Sequence, residues 1–166
     1  IIIKAYENKY AVPQFNINNL EWTRFILEAN QELGVPVILG VSEGASKYMG
    51  GYKTIVDMVN NLINYLDIRI DVVLHLDHGS SFESCKAAID AGFTSVMIDM
   101  SKLPLAENIV ATREVSQYAH QKNVTVEAEI GVLAGVEDEV SHTEDDANYT
   151  NPEQAYQFVK DTGVDS

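Results

Sequence analysis

Residues 72–99 read VVLHLDHGSSFESCKAAIDAGFTSVMID. The apolar run 72–76 is typical of a buried strand, and a second such run follows at 94–98. Between them, Ser81 is a suitable N-cap for a helix over 82–91, and the glycine that follows is a suitable stop. The order strand, helix, strand predicts one βαβ unit with parallel strands.

The same alternation continues on both sides of this unit. Further strands are predicted at 10–15, 36–41 and 124–130, and further helices at 18–33, 52–66, 107–120 and from Pro152 to near Gly163. A glycine-rich loop with Gly44, Gly50 and Gly51 is expected before the helix at 52–66. Five strands, each followed by a helix, predict a parallel sheet covered by helices. We expect another strand after the last helix, and sequence missing from both ends.

Composition limits the class of protein. The chain has 166 residues, 46% of them hydrophobic and 22% charged, which is typical of one folded domain or part of a larger one. Eleven basic and 25 acidic residues give a net charge of −14, which disfavours nucleic acid as a partner. The single cysteine, Cys85, excludes an intrachain disulfide, fits a reducing compartment and is expected to be buried. No apolar run approaches the roughly 18 residues of a membrane span, so we expect a cytoplasmic protein without membrane contact.

The choice between an open sheet and a barrel depends on the strand ends. No G-x-G-x-x-G motif is present, which weakens a dinucleotide-binding interpretation. Polar residues instead follow all five strands: Asn16, Ser42, Asp77 with His78, Asp99, and Glu129. A flavodoxin-like sheet would concentrate function at one switch point, whereas strand ends of a barrel meet at one mouth. The pattern therefore favours a (β/α)8 TIM barrel, of which about the first five βα units are present.

The strand-end residues are suited to metal chemistry. Asp77 and His78 emerge together where a buried strand ends, which suits an acid/base beside a metal ligand, although a helix-capping aspartate and a solvated histidine are the alternatives. Alternation places Glu127 and Glu129 on one face, which points either into the barrel mouth or outward to the helices. Two inward carboxylates repel unless a cation or proton intervenes. His78, Asp99 and Glu129 are a plausible metal-binding set, and a cap or salt bridge is the alternative for Asp99.

The segment 131–150 is longer than a usual βα loop and carries acidic residues around Glu137. It is a candidate lid, with a solvated acidic loop as the alternative. His142 in this segment is expected to be solvated, with a metal ligand as the alternative. His75 alternates with Asp77, and we favour a satisfied core histidine over support of Asp77.

Five segments together resemble the class II, zinc-dependent fructose-bisphosphate aldolase family: 11–19 (AVPQFNINN), 36–38 with 42–45 (PVI and SEGA), 75–79 (HLDHG), 95–99 (SVMID) and 127–131 (EAEIG). The resemblance extends from about Tyr10 to Ser166. It implies that residues 1–166 are the N-terminal portion of a single (β/α)8 barrel domain whose C-terminal strands are missing. It also implies a homodimer or higher homo-oligomer and a phosphorylated sugar substrate, fructose 1,6-bisphosphate, cleaved reversibly into dihydroxyacetone phosphate and glyceraldehyde 3-phosphate in glycolysis and gluconeogenesis.

The resemblance also implies roles for individual residues. Asp77 corresponds to the acid/base at the C4 hydroxyl and His78 to a ligand of the catalytic Zn²⁺. Asp99 and Glu129 match carboxylates that hold a second divalent or monovalent cation, or zinc in an alternative position. Asn16 and Ser42 resemble substrate contacts, and Glu137 resembles the group that transfers a proton at the dihydroxyacetone phosphate carbon.

Some features depart from the family, and other functions stay open. Lys102-Leu103 replaces a pair of histidines common in relatives, and Ala134-Gly135 replaces a Gly-Gly pair. A Schiff-base aldolase is disfavoured because no strand end carries a lysine. A tagatose-bisphosphate aldolase and a noncatalytic barrel fragment acting as an interaction subunit are the alternatives. Because two further zinc-binding histidines are expected after Ser166, we expect the isolated segment to be inactive and poorly folded.

Overall fold

A computed structural model of the chain describes residues 1–131, 135–137, 140–142 and 149–166. The elements follow one another in the order α1 (Ile2–Asn8), β1 (Gln14–Asn16), α2 (Leu20–Leu33), β2 (Val37–Ser42), α3 (Glu43–Tyr48), α4 (Tyr52–Tyr65), β3 (Val72–Gly79), α5 (Phe82–Ala91), β4 (Ser95–Ile98), α6 (Leu105–His120), β5 (Thr125–Ala128), β6 (Gly135–Glu137), β7 (Val140–His142) and α7 (Pro152–Thr162). The predicted alternation of strands and helices is confirmed.

The main sheet has five parallel strands in the order β1-β2-β3-β4-β5. A doubly wound sheet reverses its order near the middle, whereas a barrel adds each new strand to the same side. After α7 the chain returns to this sheet: Asp165 N–H donates to the Val126 carbonyl at 2.9 Å, and Ala128 N–H donates to the Ser166 carbonyl at 3.0 Å. The segment after α7 therefore lies beside β5, and the predicted strand at this position stays a prediction.

The two faces of the sheet differ in chemistry. Alternate strand residues such as Leu39, Leu76 and Val96 are fully buried in one apolar cluster with helix residues such as Leu27 and Ile55. Successive strand side chains point to opposite faces. The other face therefore carries the intervening positions of β1 to β5. Ile38, Val73 and Met97 among them are apolar, but most are polar or glycine: Gln14, Asn16, Gly40, Ser42, His75, Asp77, Ser95 and Glu127. The sites of interest lie on this polar face.

Several predicted boundaries were wrong. β1 begins at Gln14 rather than residue 10, and β5 ends before Glu129. β3 continues to Gly79 instead of ending at residue 76, because it pairs with β2 as far as Ser42 opposite Asp77 and with β4 as far as Ile98 opposite Gly79. The polar residues do not end the strand, since backbone pairing does not require apolar side chains.

Two helices were not predicted. The expected glycine-rich loop begins with α3, because Ser42 Oγ accepts a hydrogen bond from Ala45 N–H at 3.2 Å. This cap offsets the cost of Gly44 in a helix. At the N-terminus, α1 packs Ala5 into the interior and ends at Asn8, followed by Lys9 as the C-cap with a φ of 59°. Within the candidate lid, β6 and β7 form an antiparallel pair, so that segment is not wholly loop.

Cys85 is buried as predicted, with 1% of its surface exposed. Its Sγ donates to the Met97 carbonyl at 3.7 Å. Burial, with a contribution from the charge of Glu43, raises the pKa of the thiol to about 12. None of the described helices is both long and apolar enough to cross a membrane.

Candidate metal and catalytic site

The end of β3 has an irregular backbone. Its pairing with β4 shifts register between Leu76 and Gly79, and His78 takes a left-handed conformation with a φ of 48°. Such a conformation costs about 1–2 kcal/mol in a residue other than glycine. Irregular strand ends of this kind commonly redirect side chains at functional sites.

His78, Asp99 and Glu129 come together at this point. His78 Nδ1 lies 3.0 Å from Asp99 Oδ2 and 3.8 Å from Glu129 Oε2. One ligand atom from each residue lies within 4.8 Å of the others, and all three residues are partly buried. In the part of the chain that the structure describes, these are the residues that form a possible metal-binding cluster of three. The structure thus brings together the three residues that the sequence predicted as metal ligands.

The electrostatics of the cluster favour a positive charge at its centre. Burial would lower the pKa of His78, but the hydrogen bond with Asp99 and the charges of Asp77, Asp99 and Glu129 outweigh burial and raise it. Burial would likewise raise the pKa of Asp99, but hydrogen bonds with His78 and Ser101 lower it. A proton on the imidazole would therefore balance carboxylate charge that a bound cation would also balance.

The donor set fits a divalent metal. Zn²⁺ binds imidazole nitrogen and carboxylate oxygen, and catalytic zinc sites commonly have three protein ligands. One histidine with two carboxylates is also a suitable ligand set for several other divalent metals. The cluster thus has the right donor chemistry but does not by itself select zinc.

Hydrogen bonds orient the two carboxylate residues. Asp99 Oδ1 accepts from Ser101 N–H at 3.0 Å and from Ser101 Oγ at 2.7 Å. Buried Asn108 donates from Nδ2 to the Glu129 carbonyl at 2.8 Å and accepts from Thr112 Oγ1 at 2.9 Å. Sequence analysis missed both supports. The Asp-x-Ser spacing and a polar residue on the inner side of α6 were the available signals.

Asp77 lies beside the predicted substrate contacts. Its Oδ1 accepts a long hydrogen bond of 3.5 Å from Gln14 Nε2, and Ser42 is its register partner in β2. Gly40 leaves space here, since a Cβ at this position would lie 2.9 Å from Asn16 Oδ1. Asn16, Ser42 and Asp77 therefore lie on neighbouring strands. Ser42 also serves as the N-cap of α3, a role that the sequence analysis did not assign to it.

His75 lies two residues before Asp77 on the same strand and is 3% exposed. Its Nδ1 lies 2.8 Å from Ser95 Oγ, whereas its Nε2 is buried with no hydrogen-bond partner among the described residues. Its burial agrees with the prediction, but the expectation that both ring nitrogens are satisfied was wrong. Glu127 Oε2 is 3.8 Å from His75 Nε2, too far for a hydrogen bond. Burial lowers the pKa of His75, and burial together with the charge of Asp77 raises that of Glu127.

The predicted arrangement of Glu127 and Glu129 agrees with the structure. Glu127 approaches His75 and Glu129 approaches His78, so both carboxylates lie on the side of β5 that faces these β3 side chains. The side chains of Glu137 and His142 lie outside the described part of the chain, as do residues 132–134, 138–139 and 143–148. The predicted proton transfer by Glu137 and the predicted exposure of His142 stay predictions.

Comparison with known proteins identifies the family. The family model described as fructose-bisphosphate aldolase class-II matches residues 1–166. A fructose-bisphosphate aldolase of Staphylococcus aureus strain Mu50 is 57% identical over 166 residues, which are 100% of this chain and 57% of that protein. One from Geobacillus stearothermophilus is 56% identical over 162 residues, 98% of this chain and 56% of that protein.

The same relationship is visible in a solved structure. The YdjI aldolase from Escherichia coli K12 superposes with a TM-score of 0.82 at 31% identity, over 98% of this chain and 59% of that one. The chain therefore spans little more than half the length of the proteins it matches. This match and the unreversed strand order agree with the predicted (β/α)8 fold class. The chain belongs to the class II fructose-bisphosphate aldolase family.

Proposed function

We propose that the protein carrying this chain is a metal-dependent aldolase that reversibly cleaves fructose 1,6-bisphosphate into dihydroxyacetone phosphate and glyceraldehyde 3-phosphate. The observation that carries the proposal is the convergence of His78, Asp99 and Glu129 next to Asp77. Membership of the family and the names of its relatives support the substrate and the role in glycolysis and gluconeogenesis.

His78 would hold the catalytic Zn²⁺, and Asp99 and Glu129 would hold zinc in an alternative position or a second divalent or monovalent cation. Bound zinc supplies a Lewis acid that polarises the substrate carbonyl and stabilises negative charge formed during bond cleavage. The hydrogen bonds from Ser101 and Asn108 keep the two acidic residues in place for this role.

Asp77 acts as the acid/base. During cleavage its carboxylate takes the proton of the C4 hydroxyl while the C3–C4 bond breaks and the electron pair remains on C3. Glu137 then supplies a proton to that carbon of dihydroxyacetone phosphate. Asn16 and Ser42 contact polar groups of the substrate. Gln14 supports Asp77 through its long hydrogen bond.

Family membership and partial coverage support a proposal for the larger assembly. Residues 1–166 form the N-terminal portion of one (β/α)8 barrel domain, and their match to little more than half of the length of each relative supports this assignment. The protein acts in the cytoplasm as a homodimer or higher homo-oligomer.

The test uses the purified gene product that carries this chain. We expect stoichiometric zinc by elemental analysis, cleavage of fructose 1,6-bisphosphate in a coupled assay, and loss of activity with a chelator. Asp77→Asn should lower kcat by roughly 10²–10⁴-fold with zinc content unchanged. His78→Ala should lose zinc. Asp71→Asn, which changes an exposed aspartate just before β3, is the matched control and should behave as wild type.

Each alternative has its own result. Cleavage of tagatose 1,6-bisphosphate in strong preference to the fructose epimer would identify a tagatose-bisphosphate aldolase. A metal-free, inactive gene product would favour an interaction subunit. Full activity after complete removal of metal would refute the metal-dependent mechanism.

A further inference from the structure

Glu43 connects two parts of the chain that are distant in sequence. It is the first residue of α3, directly after β2. Its Oε1 accepts hydrogen bonds from Ser80 N–H and Ser80 Oγ, both at 2.8 Å, across a separation of 37 residues. Ser80 directly follows β3 and is two residues beyond His78. One carboxylate therefore accepts from both hydrogen-bond donors of the residue that follows the end of β3.

Residues of β4 and α5 contact the end of β3 from the side opposite to Glu43. Asp99 N–H donates to the Gly79 carbonyl at 3.0 Å. Gly79 packs so closely that a Cβ there would lie 2.7 Å from the Met97 carbonyl oxygen and 2.8 Å from Cys85 Sγ. β4 and α5 thus constrain Gly79, whereas Glu43 constrains the next residue from the side of β2. A backbone held at both points keeps the left-handed conformation of His78 in place.

We propose that Glu43 is a positioning residue, which holds Ser80 and thereby orients the His78 imidazole toward Asp99 and Glu129. This inference rests on the proposed metal site and deepens it. Groups that orient metal ligands commonly change metal affinity without touching the metal. Because the Glu43–Ser80 contact acts through the backbone of the turn, its loss should make the turn more mobile with or without bound metal.

A purely local role for Glu43 is the competing explanation. An acidic residue in the first turn of a helix stabilises that helix through its dipole. That role predicts an effect on α3 alone and no dependence on Ser80. The two explanations therefore differ in whether Glu43 and Ser80 are energetically coupled, and in whether the metal site responds.

The experiment uses the purified gene product with the variants Glu43→Ala, Glu43→Gln, Ser80→Ala and Glu43→Ala/Ser80→Ala. Glu32→Gln, on the exposed surface of α2, is the matched control. Zinc dissociation constants come from competition with a chromogenic chelator. Hydrogen exchange of peptides covering residues 77–83 is measured on the metal-free protein, which gives a readout independent of activity.

We expect Glu43→Ala to weaken zinc binding roughly 10–100-fold and to speed exchange at residues 77–83. Glu43→Gln keeps an acceptor oxygen and should have a smaller effect. Ser80→Ala keeps the N–H donor and should also weaken zinc binding less than Glu43→Ala does. The double variant should bind zinc about as weakly as Glu43→Ala, because both substitutions remove the same contact. Glu32→Gln should match wild type.

Zinc binding by Glu43→Ala within threefold of wild type, with unchanged exchange, would overturn the inference. Fully additive effects of Glu43→Ala and Ser80→Ala would overturn it as well. If Glu43→Ala fails to fold, zinc binding and hydrogen exchange of Glu43→Gln and Ser80→Ala test the inference instead. A wild-type protein that binds no zinc would refute the proposed function instead, while exchange at residues 77–83 would still show whether Glu43 clamps the turn.

Discussion

Gly79 offers the sharpest test of the packing around the site. A Cβ at this position would lie 2.7 Å from the Met97 carbonyl oxygen, 2.8 Å from Cys85 Sγ and 2.9 Å from Leu76 Cδ2. Favourable contacts between carbon atoms begin near 3.5 Å. The carbonyl belongs to β4 and cannot rotate away, so Gly79→Ala must shift β3 relative to β4.

The magnitude follows from two opposing effects. Overpacking a well-packed interior costs about 1–3 kcal/mol, and three contacts below 3.0 Å place Gly79→Ala in the upper part of that range, at about 2–3 kcal/mol. Replacing glycine by alanine restricts the unfolded chain and returns about 0.4–1 kcal/mol. We therefore expect Gly79→Ala to lower the free energy of unfolding by about 1–2 kcal/mol, measured by urea denaturation of the metal-free gene product. Zinc affinity should also fall, since the shift occurs next to His78.

Gly44→Ala is the matched control. Its Cβ would have Ser42 Oγ as its nearest neighbour at 3.8 Å, an ordinary contact, and Gly44 lies inside α3. This variant should gain about 0.5–1 kcal/mol. Cys85→Ala removes one of the three close contacts, so Gly79→Ala should cost less in that background. If the unfolding free energy of Gly79→Ala lies within about 0.3 kcal/mol of that of wild type, a Cβ at this position is not overpacked, and the reasoning is wrong.

Three other expectations concern single groups. Asn19 Oδ1 accepts from Trp22 N–H at 2.8 Å as the N-cap of α2. Asn19→Ala should therefore lower the unfolding free energy by about 1 kcal/mol, whereas Asn19→Ser should keep most of the stability that the cap provides. Equal losses of stability in both variants would contradict the capping role. The pKa of Cys85, raised to about 12, leaves about one thiol in ten thousand ionised at pH 8. Iodoacetamide should therefore label the native protein far more slowly than the urea-unfolded protein. Rapid labelling of the native protein would show that the thiol is accessible. Burial lowers the pKa of His75, with an opposing contribution from Asp77, so the unfolded chain binds a proton first as the pH falls. The contribution of His75 to stability should therefore decline below about pH 6.5, the ordinary histidine value. The raised pKa values of His78 and Glu127 act in the opposite direction, so the test is the difference between two proteins. Between pH 7 and 5.5 in urea titrations, wild type should lose more stability, or gain less, than His75→Gln, and identical pH dependence in both would contradict this assignment.

Local sequence signals predicted most of the secondary structure. Ser81 caps α5 through Ser84 N–H, and Gly92 ends the same helix in a left-handed conformation, as expected from their positions. Caps, stops and apolar periodicity act within a few residues, so they can be read without knowing the fold. α3 was not predicted, because Gly44 indicates a loop whereas Ser42 followed by Glu43 is a capping signal. In the structure the helix forms despite Gly44.

The candidate site was predictable in its membership but not in its geometry. A row of polar residues behind apolar strands indicated His78, Asp99 and Glu129, because parallel strands present the same end to one side of a sheet. The supports of the site were missed. Glu43 lies where a glycine-rich loop was expected, and no role was predicted for its partner Ser80.

The sequence by itself determined the order of strands and helices, the apolar side of each, and the residue types available for chemistry, because these depend on contacts between near neighbours in the chain. Tertiary structure alone decided that β3 continues to Gly79, that His78 adopts a φ of 48°, and that Glu43 reaches Ser80. Those features depend on strand register and on packing between distant segments, where a shift of one residue would turn each side chain to the opposite face.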